Sequence, residues 1–72
     1  TIYPNPTDGS FQIMTEEMLS MVTLYDITGR PLQEWTGGVN YYQVDDLRSG
    51  TYLLKVSTFD GRNSIYKLVL AK

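Results

Sequence analysis

The chain has 72 residues, a formal net charge of −2 at pH 7, and neither cysteine nor histidine. A chain of this length forms one small domain, which buries only about 60% of the surface that its unfolded form exposes. Without those two residue types there is no disulfide framework, no thiol catalysis and no zinc site of the usual kinds, and the slightly acidic balance argues against a nucleic-acid-binding protein. No apolar segment approaches the roughly 20 residues that a membrane-spanning helix needs.

Seven short segments rich in β-branched and aromatic residues alternate with glycine, proline, asparagine and aspartate along the chain. The predicted strands are residues 1–3, 10–14, 21–26, 31–36, 40–45, 50–58 and 63–70. Turn signals recur about every 8 to 12 residues, a spacing typical of a β-sandwich or barrel. Between the second and third strands, residues 15–19 are the best helical candidate, but they are too few to persist alone and are predicted to form a loop or a single turn.

The alternation of apolar residues along these strands predicts which side chains face the core. The inward-facing sets are Phe11 with Ile13, Val22 with Leu24, Tyr42 with Val44, and Tyr52 with Leu54 and Val56. These side chains are enough for a two-layer core. The sequence therefore predicts an all-β fold with one apolar layer between two sheets.

Turn chemistry and proline indicate how the strands are arranged. Asp60 and Gly61 predict a type I′ hairpin turn, so strands 50–58 and 63–70 should be antiparallel neighbours. Pro31 cannot donate a ladder hydrogen bond, so its strand should begin there or lie at a sheet edge. The last strand is almost continuously apolar from Ile65 to Leu70, which fits either burial on both faces or contact with a partner.

The two halves of the chain differ strongly in charge. Residues 1–46 hold seven acidic side chains against one arginine, a net −6, whereas residues 47–72 hold five basic side chains against one aspartate, a net +4. Ion pairs between strands of the two halves would account for this asymmetry, and so would a functional basic end. Both interpretations stay open at this point.

Few residues suggest chemistry. The adjacent Asp45 and Asp46 would point to opposite faces of a strand, and the alternating loop ligands of a calcium site are missing, so a structural or solvated role is expected. Trp35 with Tyr41 could form a sugar-stacking platform, although aromatic residues are also common on half-buried strands. Of the adjacent Tyr41 and Tyr42, one should face the core and one the solvent. Taken alone, the residues support a small β domain with no catalytic apparatus.

Three motifs occur in a fixed order along the chain. Residues 3–9 read Tyr-Pro-Asn-Pro-Thr-Asp-Gly, residues 24–30 read Leu-Tyr-Asp-Ile-Thr-Gly-Arg, and residues 47–52 read Leu-Arg-Ser-Gly-Thr-Tyr. Each proline fixes φ near −65° and biases the preceding residue toward extended geometry, which gives a rigid entry to the domain. Together the motifs resemble the C-terminal sorting domain (type A) of the type IX secretion system of Bacteroidetes, over essentially all 72 residues.

This resemblance implies a small immunoglobulin-like antiparallel β-sandwich of about seven strands. Residues 1–72 would be the excised end of a larger secreted protein, without catalytic activity or cofactor. The domain would address an upstream cargo, in the same chain, to an outer-membrane translocon. The cargo passes through the periplasm to the medium or the cell surface. A sortase-like peptidase then usually removes the domain by cutting upstream of Thr1.

The positions that match the family motifs are the expected recognition residues. They are Tyr3, Pro4, Asn5, Pro6, Gly9, Gly29, Leu47, Ser49, Gly50, Tyr52, Lys55, Lys67 and Lys72. The family commonly has consecutive lysines entering the last strand, whereas Tyr66 precedes Lys67 in this chain. An accessory immunoglobulin-like adhesion module or a carbohydrate-binding module is the alternative, and sandwich folds host all of these functions.

Overall fold

The computed structural model describes residues 1–39 and 41–72, which form two antiparallel sheets that pack face to face. Their strands are β1 (Ile2–Tyr3), β2 (Ser10–Ile13), β3 (Leu19–Tyr25), β4 (Pro31–Thr36), β5 (Tyr42–Gln43), β6 (Gly50–Thr58) and β7 (Asn63–Leu70). The three-stranded sheet has the order β1-β2-β5, and the four-stranded sheet has the order β4-β3-β6-β7. The predicted seven-stranded all-β sandwich is confirmed.

The predicted bounds of β4, β6 and β7 are correct, and β4 both begins at Pro31 and lies at a sheet edge. β5 is shorter than predicted, and Asn40, the first residue of the predicted strand, lies outside the described residues. β3 begins earlier than predicted because Leu19 is buried and pairs with Thr58. Residues 15–18 form a loop, as expected. No helix in the described part of the chain is long and apolar enough to cross a membrane.

The core lies between the two sheets. Its buried apolar side chains are Ile2, Phe11, Leu19, Val22, Leu24, Tyr42, Val44, Leu54, Val56, Leu68 and Leu70. Ile13 and Tyr52, which were also predicted to face inward, are partly buried and pack against this set. The predicted inward faces of the strands are therefore confirmed.

Three aromatic rings form the centre of this core. Phe11 stacks on Tyr42 with ring centroids 5.3 Å apart, and Trp35 meets these rings edge-on at 6.2 and 5.3 Å. Burial raises the pKa of the Tyr42 hydroxyl. Tyr42 is buried and Tyr41 is 56% exposed, which confirms that one of these adjacent tyrosines faces the core and the other the solvent. Trp35 is partly buried and packs against the core cluster, which gives this ring a structural role.

The hairpin between β6 and β7 forms as predicted, but its turn is not of type I′. Gly61 has a φ of 92°, whereas the only positive φ of a described non-glycine residue is at Asp46. Gly61 N–H donates to the Thr58 carbonyl at 3.1 Å, and Thr58 N–H donates to the Arg62 carbonyl at 2.9 Å. Residues 59–61 form a three-residue loop between the hydrogen-bonded Thr58 and Arg62, and in such loops only the last residue needs the left-handed conformation that glycine adopts easily.

Candidate recognition surface

The first motif holds the outer edge of the last strand through the side chain of Asn5. The Asn5 Nδ2 group donates to the Lys67 carbonyl at 2.8 Å, and its Oδ1 accepts from the Val69 N–H at 2.9 Å. An amide side chain offers a donor and an acceptor as a backbone peptide does, so Asn5 takes the place of a neighbouring strand residue. Both proline peptide bonds of this loop, Tyr3-Pro4 and Asn5-Pro6, are cis.

Thr7 continues this contact along the same edge. Its N–H donates to the Val69 carbonyl and its carbonyl accepts from the Ala71 N–H, each at 2.8 Å, which forms a parallel bridge with Leu70. We call Asn5 and Thr7 the edge clasp. Together they bind the carbonyls of Lys67 and Val69 and the N–H groups of Val69 and Ala71. The clasp lies in the connection between β1 and β2, so a loop of the three-stranded sheet contacts the edge of the four-stranded one.

The end of the first motif is fixed by a close approach to β5. Thr7 is buried, and its Oγ1 accepts from the Gly9 N–H at 3.1 Å and donates to the Ser10 carbonyl. Gly9 has a φ of 132°, its carbonyl accepts from the Val44 N–H at 2.8 Å, and a Cβ on it would lie 3.0 Å from the Val44 carbonyl oxygen. Glycine is therefore required at this position. Sequence reasoning missed Thr7, although a hydroxyl two residues before a turn glycine is a known turn signal.

The third motif, residues 47–52, meets the chain just beyond the last strand. Ser49 Oγ accepts from the Lys72 N–H at 3.0 Å, and Tyr52 Oη donates to the Arg48 carbonyl at 2.7 Å. Leu47 packs against the core. At Gly50 φ is 158°, at the border of extended backbone, and an added Cβ would meet nothing within 4 Å. The structure therefore brings parts of the first and third motifs to the end of β7.

The remaining motif positions lie elsewhere. Tyr3 pairs with Gln12 in the three-stranded sheet and is 66% exposed, and the two prolines beside it in the loop are exposed as well. Gly29, with a φ of 94°, belongs to the turn between β3 and β4. These positions do not touch the last strand through any hydrogen bond in the described part of the structure.

Two motif lysines share the outer face of the four-stranded sheet. Lys55 pairs with Ile65, and Leu53 pairs with Lys67, so the two lysines are diagonal neighbours on β6 and β7. We call Lys55, Lys67, Leu53, Ile65 and Val69 the outer face. Ile65 is 67% exposed, and Leu53 and Val69 are half-buried. The outer face is thus an apolar surface with two cations on it.

Ion pairing explains little of the charge asymmetry between the halves of the chain. Among the described residues, salt bridges join Arg30 to Asp26 at 3.3 Å, and Arg62 to Asp60 at 3.1 Å and to Glu17. Only the contact of Arg62 with Glu17 connects the two halves. The other four basic side chains of residues 47–72 form no salt bridge in the described part of the structure, and they are Arg48, Lys55, Lys67 and Lys72.

In each of two hairpin turns, between β3 and β4 and between β6 and β7, an aspartate carboxylate accepts hydrogen bonds from residues of the same turn. Asp26 Oδ1 accepts from the N–H and hydroxyl of Thr28 and from the Arg30 N–H, and the hydroxyl hydrogen bond is the main cause that lowers the pKa of Asp26. Hydrogen bonds from Thr58 and then Arg62 lower the pKa of Asp60 in the same way. These carboxylates stabilise turns. The described residues contain no cluster of three or more acidic side chains that could hold a metal ion.

Comparison with known proteins agrees with the motifs. A sequence model of the family described as the secretion system C-terminal sorting domain matches residues 1–71. No curated protein matches the chain. Since the match covers nearly the whole chain, this protein belongs to the family of type IX secretion C-terminal sorting domains.

Proposed function

We propose that this domain is a non-catalytic signal that directs a cargo protein across the outer membrane by the type IX secretion system and is then cleaved off. The family match over residues 1–71 carries this proposal. Membership of the family implies a role in type IX secretion and a secreted or surface-located cargo in the same chain. The outer-membrane translocon and a sortase-like peptidase are the proposed partners, and the cut is placed upstream of Thr1.

The address is proposed to lie on β7 and the residues after it. Lys67 and Lys72 are exposed, and neither forms a salt bridge in the described structure. Lys55 lies beside Lys67 on the outer face. Free surface cations next to apolar side chains suit an acidic protein surface, because charge complementarity steers association and fixes orientation. The clasp and Ser49 would keep this segment in place for a partner.

The exposed edge of β7 adds a second way to bind. The Lys67 carbonyl and the Val69 N–H point outward toward Asn5, so by strand alternation the backbone groups of Ile65 and Asn63 point outward as well. The clasp does not reach that N-terminal half of β7. An extended partner segment could therefore add to it as a further strand.

The test is a reporter protein fused ahead of residues 1–72 in a host that has the secretion system. Changing Lys67→Glu and Lys72→Glu together should retain the reporter in the periplasm, because the two cations become acidic. The matched control, Lys67→Arg with Lys72→Arg, keeps both charges and should export normally. Thermal unfolding of each purified fusion separates lost recognition from lost folding. Normal export of the glutamate variant would remove these lysines from the mechanism.

Truncation is a weaker test of the same idea. Leu70 is 2% exposed and Ala71 donates a hydrogen bond to Thr7. Deleting residues 70–72 would therefore damage the core and the clasp together with the basic end. The charge exchange at the two lysines is the cleaner experiment because it leaves those contacts intact.

A further inference from the structure

Two exposed tyrosines flank Gln12 on the solvent side of the three-stranded sheet. Tyr3 pairs with Gln12 across β1 and β2. The pairing of Phe11 with Tyr42 across β2 and β5 places the next residues, Gln12 and Tyr41, opposite each other. Phe11 and Tyr42 face the core, so by strand alternation the row Tyr3, Gln12 and Tyr41 faces solvent. Tyr3 is 66% exposed and Tyr41 is 56% exposed.

These two tyrosines line an open trough with a volume of about 330 Å³. Its polar lining consists of Gln12, Asp8 and Ser10, and Pro4 and Phe11 complete its apolar lining. Asp8 is exposed and forms no salt bridge in the described part of the structure, and its Oδ1 accepts from the Ser10 N–H at 3.4 Å. The trough therefore combines two aromatic rings with a carboxylate that has no cation beside it.

The spacing of the tyrosines leaves room for one flat group between them. Neighbouring strands lie about 4.8 Å apart, so the backbones of Tyr3 and Tyr41 are about 9–10 Å apart across β2. A planar group stacked between two rings needs a contact of about 3.5–4.0 Å on each face, or about 7–8 Å in all. Since both tyrosines are more than half exposed, packing in the domain explains little of their presence, and their rings are accessible to a partner.

The charge on this side of the domain favours a cation. Residues 1–14 and 41–46, which include all three strands of this sheet, hold three aspartates and no basic side chain. The Gly9 carbonyl accepts from the Val44 N–H, which brings Asp8 and Asp45 to the same end of the sheet. A neutral sugar ring would also fit between the tyrosines, but it would gain nothing from this excess of negative charge.

We infer that the trough binds the guanidinium group of an arginine side chain from a protein partner. A guanidinium is planar and stacks on aromatic faces, and its N–H groups form a fork that fits a carboxylate. It would lie between Tyr3 and Tyr41 and donate to Asp8, while the Gln12 amide oxygen accepts from a remaining N–H. This site is on the other sheet from the lysines of the outer face, so the inference goes beyond the proposed address and does not depend on it.

Peptide titration of the isotope-labelled domain, followed by NMR, tests the class of ligand. The probe is a capped pentapeptide with one arginine between glycines, and its matched control carries citrulline, which keeps the planar shape but has no charge. The arginine peptide should shift the amide resonances of Tyr3, Gln12 and Tyr41. It should bind at least about fivefold more tightly than the citrulline peptide, because a charged hydrogen bond is stronger than a neutral one. A lysine peptide should also bind more weakly, since an ammonium group is not planar.

Two variants test the site itself. Asp8→Asn keeps an oxygen for the Ser10 N–H but removes the charge, and Tyr41→Ala removes one of the two rings. Each should weaken binding of the arginine peptide by about fivefold or more. Glu34→Gln, an equal change of charge on β4 of the other sheet, is the matched control and should leave binding within about twofold. Unshifted resonances of the four-stranded sheet show that each variant is folded.

Several outcomes would overturn the inference. They are equal binding of the arginine peptide and either control peptide, undiminished binding by Asp8→Asn, and shifts that map to another part of the domain. If methyl glucoside shifts the same amides and the arginine peptide does not, the trough is a sugar site and the inference is wrong. None of these titrations involves export, so a failure here and a failure of the proposed function are distinguished.

Discussion

The edge clasp makes Asn5 the motif residue whose contribution is easiest to measure. Asn5→Ala removes the two hydrogen bonds to Lys67 and Val69. Each such bond contributes about 0.5–1.5 kcal/mol, and since both are solvent-exposed we expect a loss of about 1–2 kcal/mol of unfolding free energy. For a domain of this size, that loss lowers Tm by roughly 5–15 °C.

The variant Asn5→Asp separates the hydrogen bond that the Asn5 side chain donates from the one that it accepts. At pH 7 the carboxylate still accepts from the Val69 N–H, but it brings an oxygen against the Lys67 carbonyl where Nδ2 now lies at 2.8 Å. The variant should therefore be less stable than the unchanged domain at pH 7. Once the carboxyl is protonated, below about pH 4, its O–H can donate to Lys67, and the difference in Tm should shrink. Asn5→Ala should show no such recovery.

The assay is thermal unfolding followed by circular dichroism between pH 3 and pH 7, an experimental range chosen around the ordinary carboxyl pKa of about 4. Asn63→Asp is the matched control, because Asn63 Oδ1 only accepts, from the Ser57 hydroxyl at 2.6 Å, and a carboxylate keeps that bond. Its effect should stay within about 0.5 kcal/mol. If Asn5→Asp were as stable as the unchanged domain at pH 7, the Asn5 side chain would not be replacing the backbone donor and acceptor of a neighbouring strand.

Further predictions concern the glycines, the core hydroxyl and acid stability. Gly9→Ala should cost about 1–3 kcal/mol in urea unfolding, because its φ is 132° and the Cβ would lie 3.0 Å from the Val44 carbonyl oxygen, while Gly50→Ala should cost clearly less; equal costs would contradict this account. Tyr42→Phe should change the free energy of unfolding by less than about 1 kcal/mol, since the buried Oη makes no hydrogen bond of ordinary geometry among the described residues and has only a weak one with the Val39 backbone; a larger loss would show a full hydrogen bond. The lowered pKa of Asp26 gives stability that is complete above its unfolded value of 3.8 and is lost as the pH falls through the folded value. Asp26→Asn should therefore flatten the fall of Tm below that pH.

Local patterns in the sequence predict the strands well where they are long. β6 places Tyr52, Leu54 and Val56 on one face at every second position and is bounded by Gly50 and the turn at Gly61, so its bounds are correct. The same turn signal also correctly predicts that β7 is the antiparallel neighbour of β6. The predicted turn type was wrong because hairpin loops of two residues and of three residues have almost the same amino-acid composition. The early start of β3 at Leu19 depends on pairing with Thr58, which no local pattern contains.

The contacts of the site could not be predicted in the same way. Asn5 and Val69 are 64 residues apart, and their hydrogen bond exists only because the two sheets place β1 and β7 on the same side of the sandwich. The sequence shows an asparagine between prolines, which is equally typical of a free turn. Lys67 was expected to be a recognition residue because of the family resemblance. The structure adds that its carbonyl is held by the clasp while its side chain is exposed.

The proposed recognition residues are therefore of two kinds. Asn5 and Ser49 hold the last strand and the chain after it, while Gly9 allows the close approach of the first motif to Val44. Lys55 and Lys67 form no salt bridge among the described residues, and their side chains lie on the outer face. Under the proposed function, a substitution of the first kind should lower export by loosening the last strand, and its effect should follow the loss of stability. A substitution of the second kind should change the proposed partner surface and lower export at unchanged stability. Measuring export and unfolding on the same variants separates the two.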